Sequence, residues 1–287
     1  MKRGLIIALI LTTILIIGCV NFLKLSDLRP DGYNYPNNPS KAQQLLTDMG
    51  VAHNIRAWDS IETYHVDFTE EFYGFIGKQA HPFKEQKMEF SMDFNPHNYD
   101  GRMEFASGVE KGTTWGIQSW QTYLIDDAGQ ARAKDNKDMT FWIPTYQYFV
   151  ELPRRIQEAS SIDYVGSQDI NGVTAEGILT SWHSVEPQKE IDQYLVWIDA
   201  QTKMIVKVEY TVRDQYRFVT GAAHYTQYKN YGGIILPSVM PVESNLVKKG
   251  FLHQMSINSF TPNRISAEEL APLAHVDAVS PLSLIHI

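Results

Sequence analysis

From residue 64 onward, apolar positions recur at every second residue, the period of a strand that turns one face to a core. Tyr64, Val66, Phe68 and Phe72 mark one side of such a strand. Met88, Phe90, Met92 and Phe94 alternate with Lys87, Glu89, Ser91 and Asp93, which predicts a second strand with one wet face. The pattern returns where Met204, Val206, Val208, Tyr210 and Val212 alternate with Ile205, Lys207, Glu209 and Thr211. With the strand-like residues 193–199 before it and a short turn at 200–203, this stretch predicts a long hairpin. Asn171-Gly172 separates 164–170 from 173–182, and Gly232-Gly233 separates 222–228 from 234–239. Both dipeptides accept the positive φ of tight turns, so each pair reads as adjacent antiparallel strands; Asp100-Gly101 and Ala128-Gly129 are weaker examples. Two segments carry helical spacing instead. In 41–49, Ala42, Leu45, Leu46 and Met49 follow Ser40 as N-cap and precede Gly50 as a stop. In 143–159 the apolar spacing fits short helices packed across a sheet, with Pro144 and Pro153 as starts or breaks.

The first residues follow a different rule. Lys2 and Arg3 precede an apolar run, 5–17, broken only by Thr12 and Thr13, the layout of a secretory signal. It ends in Ile16-Ile17-Gly18-Cys19, which resembles the bacterial lipobox, where the cysteine thiol receives a diacylglyceryl group and becomes the N-terminus after cleavage. Residues 5–25 also approach the roughly 20 residues of a spanning helix, so an uncleaved anchor is the alternative. Cys19 is the single cysteine, so the exported domain has no internal disulfide and depends on its core. Residues 29–39, RPDGYNYPNNP, have the composition of a tether. The final Leu282-Ser283-Leu284-Ile285-His286-Ile287 resembles the conceptual translation of a transposon-end adapter used in sequencing libraries. The expected organisation is a signal peptide at 1–18, a lipid-anchored tether at 19–39, one domain at 40–265, a tail at 266–281 and adapter-derived residues at 282–287.

Composition narrows the function. With 44% hydrophobic and 20% charged residues, the chain has a folded protein's balance. Of 25 Lys and Arg, Lys2 and Arg3 leave with the signal, so 33 acidic residues face 23 basic ones. That balance argues against a nucleic acid partner, which requires a basic footprint. It also argues against a polybasic membrane patch and leaves membrane affinity to the acyl anchor. His183 with Glu186, or His53, His65, His81 and His97, are the groupings open to a metal, yet no His-Glu-x-x-His occurs and no second cysteine is available. Neither Gly-x-Ser-x-Gly nor Ser-x-x-Lys appears, and the expectation is a protein with no catalytic residue, metal or cofactor. Glu70 and Glu71, like Asp126 and Asp127, are neighbours pointing to opposite faces and read as solvated surface. Seven of nine methionines fall between Met88 and Met255 among many aromatic residues. Such a face suits either an ordinary core or a surface for variable apolar ligands.

At residues 190–237 a family resemblance becomes visible. Tyr194-Leu195-Val196-Trp197-Ile198-Asp199, a turn, the strand at 204–210, and Tyr228-Lys229-Asn230-Tyr231-Gly232-Gly233-Ile234-Ile235-Leu236-Pro237 resemble the bacterial lipoprotein-sorting (LolA/LolB-like) superfamily. Trp58 with its preceding helix and the Asn171-Gly172 hairpin fit the same scheme. The resemblance implies a mainly β (α+β) fold, a strongly curved antiparallel sheet forming an incomplete β-barrel with helices covering the concave face. It further implies non-covalent binding of acyl chains or lipoproteins, without catalysis. On such a sheet Met88, Phe90, Met92, Met204, Val206, Val208 and Tyr210 are the expected ligand-binding residues, while Lys87, Glu89, Lys207 and Glu209 face water. The expected protein is therefore a lipid-anchored carrier on the periplasmic side of the outer membrane, since Val20 is not the aspartate that retains lipoproteins in the inner membrane of enteric bacteria. A sensory or protein-interaction lipoprotein using the same fold is the alternative.

Overall fold

The computed structural model describes residues 38–276, except 187 and 214–217. The signal segment, Cys19, most of the tether and the terminal six residues lie outside the described residues. Among those described, no helix is long and apolar enough to cross a membrane.

The chain opens with α1 (Pro39–Ala52) and a 3-10 turn (Ile55–Ser60), then enters β1 (Tyr64–Phe72). A six-residue helix, α2 (Gly74–Gln79), leads to a meander of β2 (Lys87–Phe94), β3 (Gly101–Phe105), β4 (Thr114–Gln118), β5 (Gln121–Ile125) and β6 (Ala131–Ala133). The long α3 (Lys137–Arg155) follows. A second meander begins with β7 (Ser161–Ile170), β8 (Val173–Ser181), β9 (Gln193–Asp199) and β10 (Ile205–Thr211). It continues through β11 (Thr220–His224), β12 (Thr226–Tyr231), β13 (Ile234–Ser244) and β14 (His253–Pro262) to a single turn of helix, α4 (Ala267–Leu270). All strands join one antiparallel sheet in the order β6-β5-β4-β3-β2-β1-β14-β13-β11-β10-β9-β8-β7, with β12 also on β13. The β1–β14 pairing joins the two meanders, and β6 and β7 are left as free edges linked through α3.

Side chains on α3 show how far this sheet bends. Tyr146 packs on Phe68 of β1 and Phe90 of β2, while Tyr148 meets Tyr194 of β9 and Phe149 meets Tyr210 of β10. Strands β1 and β10 are four places apart, roughly 19 Å across a flat sheet at ~4.8 Å per strand. Residues two or three apart on a helix are separated by only about 3–4.5 Å along its axis. Both limbs can touch so short a stretch only if the sheet wraps around the helix, giving an incomplete β-barrel with α3 on its concave face.

Being wrapped, α3 is buried nearly all round from Ile143 to Pro153, and its two prolines do not break it. The expected short helices are one helix of 19 residues. Pro153 cannot donate to the carbonyl of Phe149, and the Tyr225 hydroxyl donates to that oxygen instead, at 3.1 Å. Asn136 caps the N-terminus by accepting from the amides of Asp138 and Met139. Gln147, Glu151 and Arg155 form a buried polar stripe at i, i+4 spacing, facing the β2–β3 turn. Gln147 donates to the carbonyls of Asn95 and Asn98, and Arg155 to those of Pro96 and Asn98.

Strand β2 buries Met88, Phe90, Met92 and Phe94 as expected, but Asp93, expected on the wet face, is buried between His65 and Arg102; both Gly-containing hairpins form. Asn171 and Gly172 have φ of 53° and 86°, and Gly232 and Gly233 have 66° and 107°. At α1, Asn38 rather than Ser40 is the N-cap, and Gly50 lies inside the helix. A Cβ there would stand 2.9 Å from Ile55 Cδ1 and 3.0 Å from Gln157 Nε2, side-chain ends that would have to shift to admit it. In β10 a bulge inserts Val206 between Ile205, opposite Ile198, and Lys207, opposite Trp197. The extra residue corrects the expected facing of Met204 and Val206. Ile205 joins the main core, Val206 packs on a separate cluster around Val165, Leu179 and Trp197, and half-buried Met204 precedes the strand.

His53, at the end of α1, completes the bulge by accepting the Ile205 amide on Nε2 at 3.1 Å. Burial pulls its imidazole down to about 4. Because the folded value lies below the unfolded one near 6.5, the unfolded chain binds the extra proton between those limits. The stability His53 contributes is therefore complete above pH 6.5 and lost as pH falls toward 4, by up to about 3 kcal/mol at ~1.4 kcal/mol per pH unit. Urea titrations should show the wild type's advantage over His53→Gln shrinking across this window.

Candidate functional site

Beside the N-terminal half of α3 the concave face is incompletely filled, leaving an open cavity of about 450 Å³. One wall is helical: Phe141, Trp142, Thr145, Tyr146 and Phe149. The opposite wall combines Tyr210 and Gly221 with Val242 and Met255 from β10, β11, β13 and β14. The third is the β1–β2 connection, through Ile76, Ala80, His81 and Pro82. The volume falls within the roughly 300–1,000 Å³ common for small-ligand sites, and the lining is mostly apolar. Gly221 helps keep the space open: the Tyr210 ring lies over it, only 2.4 Å from where a Cβ would stand.

The mouth lies between two connections, β1–β2 and β13–β14, joined by the Tyr73 amide donating to the Leu252 carbonyl at 2.9 Å. Ile76 and Leu246 line it and are themselves exposed, and Phe75, next to Ile76, is 77% exposed. Large apolar side chains on a surface normally signal contact with something apolar when they cluster.

A hydrogen-bonded Glu–His pair borders the cavity where β14 begins. Glu70 of β1 is wholly buried, and its Oε1 accepts from Nδ1 of His253, 2.8 Å away. Burial pushes the Glu70 carboxyl up, with His253 opposing. The Tyr146 hydroxyl lies near this carboxylate without an aligned hydrogen bond. Phe72 is sandwiched between the rings of His253 and His81, at 5.0 and 3.9 Å between centroids. Burial, together with the charge of His253, pulls His81 down to about 4.

Of the expected ligand-binding residues, Tyr210 lines this cavity. Met88, Phe90, Met92 and Val208 are buried in the main core, whereas Met204 and Val206 stand apart as described. Glu70 overturns its reading as solvated surface. The signal was present, because Glu70 continues the inward series Tyr64, Val66, Phe68 toward Phe72. The histidines do not converge: His53 caps the β10 bulge, His65 sits between Asp93 and Asp67, and His97 contacts the Ile61 carbonyl. Among the described residues, no group of three His, Cys, Asp or Glu could hold a metal ion.

No protein-family model matches the chain, and no curated protein matches it. Solved structures do. A Vibrio parahaemolyticus protein described as an outer membrane lipoprotein-sorting protein domain aligns with a TM-score of 0.50 at 11% identity, over 81% of this chain and 97% of its own. The LolA superfamily protein NE2245 from Nitrosomonas europaea aligns with a TM-score of 0.51 at 10% identity, over 80% and 96%. The chain therefore has the LolA-like fold, as its resemblance implied.

Proposed function

We propose that this protein is a non-enzymatic, lipid-anchored envelope protein that binds an acyl chain or the acylated end of a lipoprotein in the cavity beside α3, in lipid or lipoprotein trafficking. The observation that carries this reading is the apolar cavity, which opens beside exposed Ile76 and Leu246, with exposed Phe75 adjoining Ile76. A chain of methylenes entering there leaves water on all sides, at about 0.8 kcal/mol per CH₂ buried. A structural neighbour described as an outer membrane lipoprotein-sorting protein domain supports the same reading. Acylation of Cys19 would hold the domain at the periplasmic side of the outer membrane through the expected 19–39 tether, which ends where Asn38 caps α1.

The test uses mature protein extracted from membranes and freed of bound lipid. Binding of a fluorescent acyl probe with micromolar or better affinity is expected, and mass spectrometry of the organic extract should recover the native ligand. Folded protein that binds no acyl compound and carries none would overturn the proposal.

A further inference from the structure

Just inside the mouth of the cavity, where β14 begins, His253 carries a ring nitrogen with no hydrogen-bond partner among the described residues, and we propose that it receives the carboxyl group of a free fatty acid. This inference rests on the acyl-binding reading above and specifies the head group. His253 is only 8% exposed, yet its ring lines the cavity. Its Nδ1 is committed to Glu70, which is wholly buried behind the lining. That bond and the stack on Phe72 set the ring plane, so Nδ1 points back to β1 and Nε2 is left on the cavity side. No described residue hydrogen-bonds this Nε2, and it is not enclosed like the buried unpaired nitrogen of His81.

A carboxyl group matches such a nitrogen in either protonation state. As an acid it donates to a bare Nε2; as a carboxylate it accepts from Nε2–H, a charge-assisted bond shorter and stronger than a neutral one. The bond from Nδ1 to Glu70 keeps the ring oriented in either arrangement. The acyl chain then runs inward along Val242, Met255 and Phe149. A methyl ester can only accept, through a neutral carbonyl, and an alcohol carries no charge to pair.

Displacement of Nile red by dodecanoic acid and by methyl dodecanoate, measured on the mature protein, tests the assignment. The wild type should prefer the acid at least tenfold. His253→Phe, which keeps a ring on Phe72, should abolish that preference by lowering acid affinity at least tenfold more than ester affinity. Should that variant misfold, His253→Gln supplies the same comparison. Equal affinity of wild type for acid and ester, or a preference that survives both substitutions, would overturn the head-group assignment while leaving acyl binding intact. Binding of neither compound would overturn the acyl reading and this one with it.

Discussion

Replacing Glu151 by alanine is expected to destabilise the fold by about 3–5 kcal/mol, the cost of removing one partner from a buried ion pair. Glu151 is wholly buried and accepts from Arg155 Nε at 2.8 Å and from Tyr64 Oη and Gln147 Nε2 at 2.9 Å. It thereby ties α3 to β1 and, through Gln147 and Arg155, to the turn between β2 and β3. Without the carboxylate, Arg155, itself only 6% exposed, keeps its carbonyl partners but loses its counter-charge, and the Tyr64 hydroxyl is left unpaired. Burial pushes the Glu151 carboxyl up while Arg155 opposes this, as expected where desolvation and pairing compete. Urea denaturation provides the measurement. Glu151→Leu combined with Arg155→Met should recover much of the loss, because removing both partners leaves no orphaned charge. A single-mutant cost under about 1 kcal/mol would mean that the network adds little to holding the helix.

The second large effect concerns the cavity. Thr145→Trp should weaken acyl-probe binding at least tenfold, about 1.4 kcal/mol, by placing an indole where the chain would lie. Thr145 lines the cavity from α3, and its hydroxyl bonds only the Phe141 carbonyl one turn earlier, at 2.7 Å. The indole would enter empty space and should leave the melting temperature nearly unchanged. Val206→Thr is the matched control: its side chain lies on the outer cluster, so binding should persist. Equal losses in the two variants would place the ligand elsewhere.

Much of the scaffold was legible in residue order. Alternation in Met88 to Phe94 specified which face of β2 is buried, since a strand has no other way to place successive side chains. Asn171-Gly172 and Gly232-Gly233 specified two hairpins, since positive φ is a property of those residues. The site was less legible. Glu70 occupies an inward position in β1, but whether an inward carboxylate meets water or His253 depends on β14, 183 residues further along.

Strand periodicity, the tight turns and the antiparallel neighbours they join can be read from residue order, because they follow from the steric preferences of a few adjacent residues. Long-range packing set the continuation of α3 through Pro144 and Pro153, the outward turn of Val206 and the burial of Glu70. Each depends on a distant partner: Tyr225 for the carbonyl left free by Pro153, His53 for the bulged amide of Ile205, and His253 for Glu70. The cavity belongs to the same class. Periodicity specifies that a face is apolar, but the curvature of the whole sheet around one helix decides where that face is filled and where it stays open.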